Sequence, residues 1–270
     1  PLPMKLVILD YSGTLSLASV LFASPKRLAL ELDRCGLKRL GISTFGLFWD
    51  VVVNPTWQEG STTTAGYKEA MKKILQKTFH LDASVVSPVV ESFVDAYMAA
   101  SKIDPSWKPF LRNLKTHTGV RTIVASDHYA EATDAILASL SDMGIDAAAL
   151  RDPTQRIRNI PFIVANSADV GFHKADPQFW EAVKARALPE KVTEVLIIDD
   201  FGANEQAGSS YAEREKVSKR IQETEVTLRK VFQAGIEVFP FILEGGCQED
   251  DTLYRNLVGE ASKRIEQFLN

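Results

Sequence analysis

Several things are scarce in this chain, and each scarcity excludes something. Its two cysteines, Cys35 and Cys247, are isolated and share no metal-ligand spacing. They make no disulfide framework, which fits a reducing cytoplasm. No apolar run approaches the ~18 residues of a membrane span, so no membrane partner is expected. A net charge of −4 leaves no basic surplus, and nucleic acid is not the expected partner either. What remains is 45% hydrophobic and 24% charged over 270 residues, an ordinary globular balance with length for a large core in one or two domains.

The most informative stretch is Lys5–Leu15. Leu6 to Leu9 run apolar without alternation, as in a strand buried on both faces, and stop at Asp10; Gly13-Thr14 follows. A carboxylate at the carboxyl end of a buried strand sits where open α/β sheets bind ligands. The strand pattern then vanishes for about 100 residues. Ser24-Pro25 opens a helix through Leu28 and Leu32, and further helices are expected over Tyr67–Phe79 and from Pro88 to Tyr97. An aromatic segment from Phe45 to Trp57 lies between them, read as a loop that packs internally or faces a substrate. From Trp107 strands and helices alternate. Strands are expected at Val120–Ala125, Pro161–Ala165, Val195–Ile198 and Ile236–Ile242, which argues for an α/β fold, a Rossmann-like doubly wound parallel sheet. Residues 211–232 read as one charge-laced helix of ~33 Å, either solvated with a narrow packed stripe or serving as a docking surface for a protein partner or a homodimer.

Candidate groups stand at the strand ends or just after them: Asp10, Ser126, Lys174 and the pair Asp199-Asp200. Parallel strands bring their carboxyl ends to one edge of the sheet, where these groups converge. Two or three carboxylates gather a hard, oxygen-preferring cation, and Mg²⁺ suits such an open site. A hydroxyl and a lysine beside it suit phosphate, which Asp10 could attack.

In this order the motifs resemble those of the haloacid dehalogenase-like (HAD) superfamily, mostly Mg²⁺-dependent phosphohydrolases. The likeness covers nearly the whole chain: Asp-Tyr-Ser-Gly-Thr-Leu from Asp10, then Ser126, then Lys174 in Lys-Ala-Asp-Pro, then Asp199-Asp-Phe-Gly-Ala-Asn-Glu from Asp199. The resemblance implies a core of residues 1–15 and 110–270, with 16–109 as an inserted α-helical cap domain. It implies Asp10 as nucleophile and metal ligand, the Ser12 backbone carbonyl as a further ligand, and Asp199 and Asp200 completing the Mg²⁺ shell. Ser126, Asp127 and Lys174 would receive a small phosphorylated molecule, Gly13 and Thr14 would hold the turn open for it, and Asn204 and Glu205 would position loops.

One position departs from that pattern. The family's hydrolases usually carry a second Asp two residues after the nucleophile, where this chain has Ser12. A serine hydroxyl cannot serve as acid or base near neutral pH, and that help is worth ~10²–10⁴ in rate. Three outcomes follow: a substrate with a good leaving group, a proton from His128 or His173, or a weakened protein that binds a phospho-ligand or partner. Two other chemistries rank lower. A dehalogenase would place a haloacid carboxylate beside Asp199 and Asp200; a phosphonate-cleaving enzyme would need a Schiff-base lysine among Lys26, Lys68, Lys72 and Lys73. Arg151, Arg156 and Arg158 are candidates for an anionic tail, or simply solvated.

Overall fold

The computed structural model describes residues 4–151, 157, 160–188, 191–205, 214–244 and 251–270. Six strands form one parallel sheet: β1 (Met4–Asp10), β2 (Val120–Ser126), β3 (Ala147–Ala149), β4 (Phe162–Asn166), β5 (Val192–Asp199) and β6 (Gly235–Pro240). Their spatial order is β3-β4-β2-β1-β5-β6, so β1 is central and flanked by β2 and β5. The order reverses beside β1, which puts its carboxyl end at the topological switch point.

The unbroken apolar run of β1 is explained by the two cores it separates. Val7 and Leu9 enter one core, with Leu111 and Leu114 of α7 (Lys108–Thr116), Ile136 and Leu140 of α8 (Glu131–Asp142), and Tyr254 and Val258 of α12 (Asp251–Leu269). Leu6 and Ile8 enter the other, with Phe179, Trp180 and Val183 of α10 (Pro177–Ala187) and Val217, Leu228 and Val231 of α11 (Arg214–Phe232). Alternate residues serve opposite cores, so both faces must be apolar. The stripe on α11 is thus spent inside this chain: Val217 and Leu228 are buried and Ile221 packs against them. Residues 211–213 of the expected helix lie outside the described residues.

Between β1 and β2 every regular element is helical: α1 (Leu17–Phe22), α2 (Pro25–Arg34), α3 (Phe45–Phe48), α4 (Asn54–Gly60), α5 (Gly66–Phe79) and α6 (Ala83–Ala100), then α7 on the sheet, besides short 3₁₀ and π turns. These helices share an apolar cluster of their own, with Leu28, Leu32, Val52, Met71, Leu75, Val90 and Phe93, to which the sheet side adds Tyr129. Leu17, Ile103 and Trp107 pack instead with the sheet. The chain leaves and returns at one place, where the Asp104 N–H donates to the Leu15 carbonyl at 2.9 Å and the Tyr11 hydroxyl donates to the Ser101 carbonyl. Further ties join the two layers. Glu131 accepts the Tyr67 and Lys68 N–H groups at the start of α5 (2.7 and 2.9 Å), and Ser61 Oγ meets His173 Nε2 at 2.7 Å.

Three local expectations need correction. The Phe45–Trp57 segment is helical, not a loop; a π-helical turn, Trp49–Val53, joins α3 to α4. Strand β3 is a run of three alanines at the sheet edge, without the β-branched or aromatic residues that signal a strand. Finally, α6 starts at Ala83 behind the N-cap Asp82, so Pro88 lies inside it rather than at its start. The apolar contacts of Val86 and Val90 hold the turn across the missing N–H. Pro88→Ala restores that hydrogen bond and is expected to stabilise the protein by about 1–3 kcal/mol. Urea unfolding checks this, and an unchanged or lower midpoint would contradict it.

Candidate active site

Asp10 ends β1 and is 5% exposed. The chain then turns sharply: the Ser16 N–H donates to the Tyr11 carbonyl (2.8 Å) and the Gly13 N–H to the Ser16 carbonyl (2.9 Å). Gly13 has φ +81°, and a Cβ there would run into the Asp200 carboxylate, so glycine is required twice over. Thr14 holds the neighbouring loop through its Oγ1, which accepts the Asp200 N–H at 3.1 Å. Its carbonyl accepts the Tyr254 hydroxyl of α12 at 2.6 Å. Asn204 braces three segments, donating to the Gly13 and Phe241 carbonyls and accepting from the Leu243 N–H.

Lys174 meets this centre from the loop after β4. Its Nζ donates to Asp10 Oδ1 at 2.5 Å and to Asp199 Oδ2 at 2.8 Å. Its backbone is fixed on both sides: the N–H donates to Asp127 Oδ1 (2.8 Å), and the carbonyl accepts the Trp180 indole N–H (2.8 Å). Asp199 Oδ1 accepts the Phe201 N–H, while Asp200 accepts those of Gly202 and Asn204. Asp10, Asp199 and Asp200 each present an oxygen within 4.8 Å of the others. Three buried carboxylates face one ammonium, and the imbalance shows in their protonation. Burial, then Asp199, hold Asp10 well above the usual carboxylate range. Burial, Asp199 and Glu205 push Asp200 up to about 8. Burial works against the Lys174 ammonium, but Asp10, Asp199 and Asp127 more than offset it and hold the group well above its ordinary value. A hard cation with oxygen ligands is what this donor set fits.

The cluster forms the floor of a cavity of about 680 Å³. Asp10, Ser12, Ser126, Asp127, Lys174, Asp199 and Asp200 all line it; Gly13 and Thr14 do not, and act through the loops they hold. Its upper wall is made by the helical layer, from Phe48 and Trp49 to Phe93 and Tyr97. The sequence shows Phe93 and Tyr97 at helical spacing, which signals packing, and Phe48 and Trp49 in a segment that packs internally or faces a substrate; the fold shows that all four border a space. The α11 residues Arg220, Glu223, Thr224 and Thr227 line it too, a contribution the charge pattern did not reveal. Glu205 also borders it, and burial and Asp10 push its carboxyl up to about 7.

The other candidates fall away from the cavity. His173 is stacked on Trp57 (5.9 Å between centroids) and bonded to Ser61. Lys68, Lys72 and Lys73 pair with acidic groups on the outer helix faces, and neither they nor Lys26 border the cavity. Arg151 pairs with Asp134 and Asp169, while Arg156 and Arg158 lie outside the described residues.

No family model and no curated protein matches the chain. Solved structures do. A 2-haloacid dehalogenase from Pseudomonas syringae pv. Tomato DC3000 aligns at TM-score 0.52 and 15% identity, over 98% of this chain and 99% of that one. A HAD family enzyme of Bacteroides thetaiotaomicron, in complex with magnesium and inorganic phosphate, aligns at TM-score 0.47 and 14% identity over 92% and 98%. The HAD-hydrolase YfnB from Bacillus subtilis, bound to magnesium, aligns at 0.42 and 14% over 81% and 84%. The chain has the fold of the haloacid dehalogenase-like superfamily.

His128 borders the cavity and is 4% exposed, with its Nε2 3.0 Å from the Tyr97 hydroxyl. Burial pushes its imidazole down from 6.5 to about 4, so it is neutral at physiological pH and a poor proton donor. Its folded value lies below its unfolded one; the stability it contributes is therefore full above pH 6.5 and is lost as pH falls towards 4. His128→Gln removes the imidazole that the unfolded chain protonates more readily. It is expected to flatten the fall in unfolding free energy between pH 6.5 and 4 by roughly 2–3 kcal/mol. Identical pH profiles for the two proteins would refute this.

Proposed function

We propose that the protein is a Mg²⁺-dependent phosphohydrolase or phosphotransferase acting on a small phosphorylated molecule through Asp10. The observation that carries this reading is the Lys174 ammonium held by both Asp10 and Asp199, with Asp200 in the same cluster. The helical layer between β1 and β2 then serves as the cap, residues 16–109, that closes over the substrate. Asp10, Asp199, Asp200 and the Ser12 carbonyl would hold the Mg²⁺ ion. When bound, the ion supplies positive charge against the phosphoryl oxygens.

The chain's own groups account for the steps. Lys174 favours the ionised form of Asp10 against burial and its acidic neighbours and offsets charge on the phosphoryl group, while Ser126 donates to one of its oxygens. An Asp10 carboxylate oxygen attacks phosphorus; the O–P bond forms as the bond to the leaving oxygen breaks, with the electron pair going to that oxygen. Water then attacks the phosphorus and gives up a proton to solvent, and the bond to Asp10 breaks with its electron pair returning to the carboxylate. No acid stands at Ser12. Ser19 Oγ already donates to the Ser16 carbonyl at 2.7 Å, so in the 2.9 Å contact between Ser12 and Ser19 it is Ser12 that donates.

A dehalogenase reading fits less well, because a haloacid carboxylate would enter a site already crowded with buried anions. A weakened, ligand-binding protein is favoured by one observation, the missing acid, and kinetics separates the two. With Mg²⁺ and acetyl phosphate, turnover is expected in wild type and is abolished in Asp10→Asn. Ser12→Asp is expected to raise hydrolysis of poor-leaving-group esters by about a hundredfold or more. Turnover that survives Asp10→Asn, or no phosphate binding in any form, would end the enzyme reading.

A further inference from the structure

The shape and chemistry of the cavity narrow the substrate further, on the assumption that Asp10 takes up phosphorus as above. Among the described residues, every charged side chain on its wall comes from the sheet side or α11: Asp10, Asp127, Lys174, Asp199, Asp200, Glu205, Arg220 and Glu223. The helical layer contributes none. Its share is mainly aromatic and aliphatic, led by Phe22, Phe48, Trp49, Trp57, Phe93 and Tyr97, with Ser19, Asn54 and the tyrosine hydroxyls as neutral polar groups. Whatever is attached to the phosphoryl group sits against that wall, where a second charge would be desolvated without a partner. A flat aromatic ring would stack against those rings, whereas a sugar's hydroxyls would meet only the few neutral partners of Ser19, Asn54 and the tyrosines.

Two polar atoms of lining residues stand out. Among the described residues, the Trp49 indole N–H and His128 Nδ1 are buried without a hydrogen-bond partner, and both residues line the cavity. Trp49 stands in the π-helical turn, an arrangement that recurs at functional sites. A buried indole N–H needs an acceptor, and a ligand atom can supply it. The missing acid points the same way. A leaving oxygen that must depart unprotonated has to be a stable anion, and an aryl oxygen is far better at this than an alkyl one.

We propose that the substrate is the phosphate ester of an uncharged aromatic hydroxyl compound that carries a neutral acceptor for the Trp49 N–H. In the first step the phosphorus–oxygen bond breaks, the aryloxide leaves with the electron pair, and Asp10 becomes phosphorylated. The aryloxide takes its proton from solvent after release.

The test compares 2-naphthyl phosphate, 2-naphthylmethyl phosphate, glucose 6-phosphate and acetyl phosphate as substrates of the wild-type protein with Mg²⁺. Naphthyl phosphate is expected to show a KM at least about tenfold below that of glucose 6-phosphate. The naphthylmethyl ester, with the same ring and a poor leaving group, is expected to bind comparably with kcat lower by about a hundredfold. Ser12→Asp should narrow that kcat gap. A neutral acceptor on the ring, as in 6-methoxy-2-naphthyl phosphate, should lower KM further, and Trp49→Phe should raise KM for this probe about three- to tenfold more than for 2-naphthyl phosphate. If acetyl phosphate is turned over but the aromatic ester binds no better than the sugar phosphate, the aromatic assignment is overturned while the phosphatase reading stands. Equal kcat values for the aryl and alkyl esters would overturn the leaving-group argument. If Trp49→Phe affects both naphthyl probes equally, the acceptor is overturned. If acetyl phosphate is also inert, the underlying reading fails with it. The wild-type comparison holds even should Trp49→Phe not fold.

Discussion

The whole arrangement turns on one ammonium group that cannot balance what surrounds it. Lys174 Nζ lies 2.5 Å from Asp10 and 2.8 Å from Asp199, and Asp200 completes a cluster of three buried carboxylates. With carboxylate oxygens 4.8 Å apart, the limit within which all three lie, two such like charges repel by roughly 3–4 kcal/mol even with an effective dielectric of about 20. No fold keeps that repulsion for stability's sake, since apolar residues of similar volume would pack as well or better. The surplus of negative charge is instead what a cation and a phosphoryl transition state would relieve, and on the proposed reading that is its use.

The rest of the molecule holds this cluster in place. A parallel sheet with β1 at its centre delivers Asp10, Ser126 and Asp199 to one edge, because each ends its strand there. The loops behind them are cross-braced by Asn204, Thr14 and Tyr254, which leaves little freedom for the carboxylates to move apart. Over the edge sits the helical layer, tied to the sheet through Glu131 at the start of α5, the Ser61–His173 contact and the stack of Tyr67 on Tyr129 (3.9 Å between centroids). Charge is thus concentrated on one wall of the cavity and aromatic surface on the other.

Much of the site was legible in the sequence, because strand ends are marked by where an apolar run stops. Asp10 and the Asp199-Asp200 pair follow such runs directly, and Ser126 follows Val120–Ala125. Lys174 stands a few residues beyond the strand expected at Pro161–Ala165, and the likeness of its motif agrees with that placement. What stayed hidden depends on tertiary placement. A strand of three alanines carries no propensity signal, and Pro88 inside α6 contradicts the local rule that a proline starts a helix. Phe93 and Tyr97 sit at spacings that mean packing, and the sequence does not tell a packed face from a cavity wall. The α11 stripe allowed two readings, a narrow packed stripe or a docking surface, and the fold places Val217 and Leu228 in this chain's own core.

Crystals of the wild-type protein grown with Mg²⁺ and beryllium fluoride test the central claim most directly. The account expects a beryllium–oxygen bond to Asp10, a cation coordinated by Asp10, Asp199 and Asp200, and Lys174 turned towards the fluorides. An unmodified Asp10, with no cation among the three carboxylates, would contradict it.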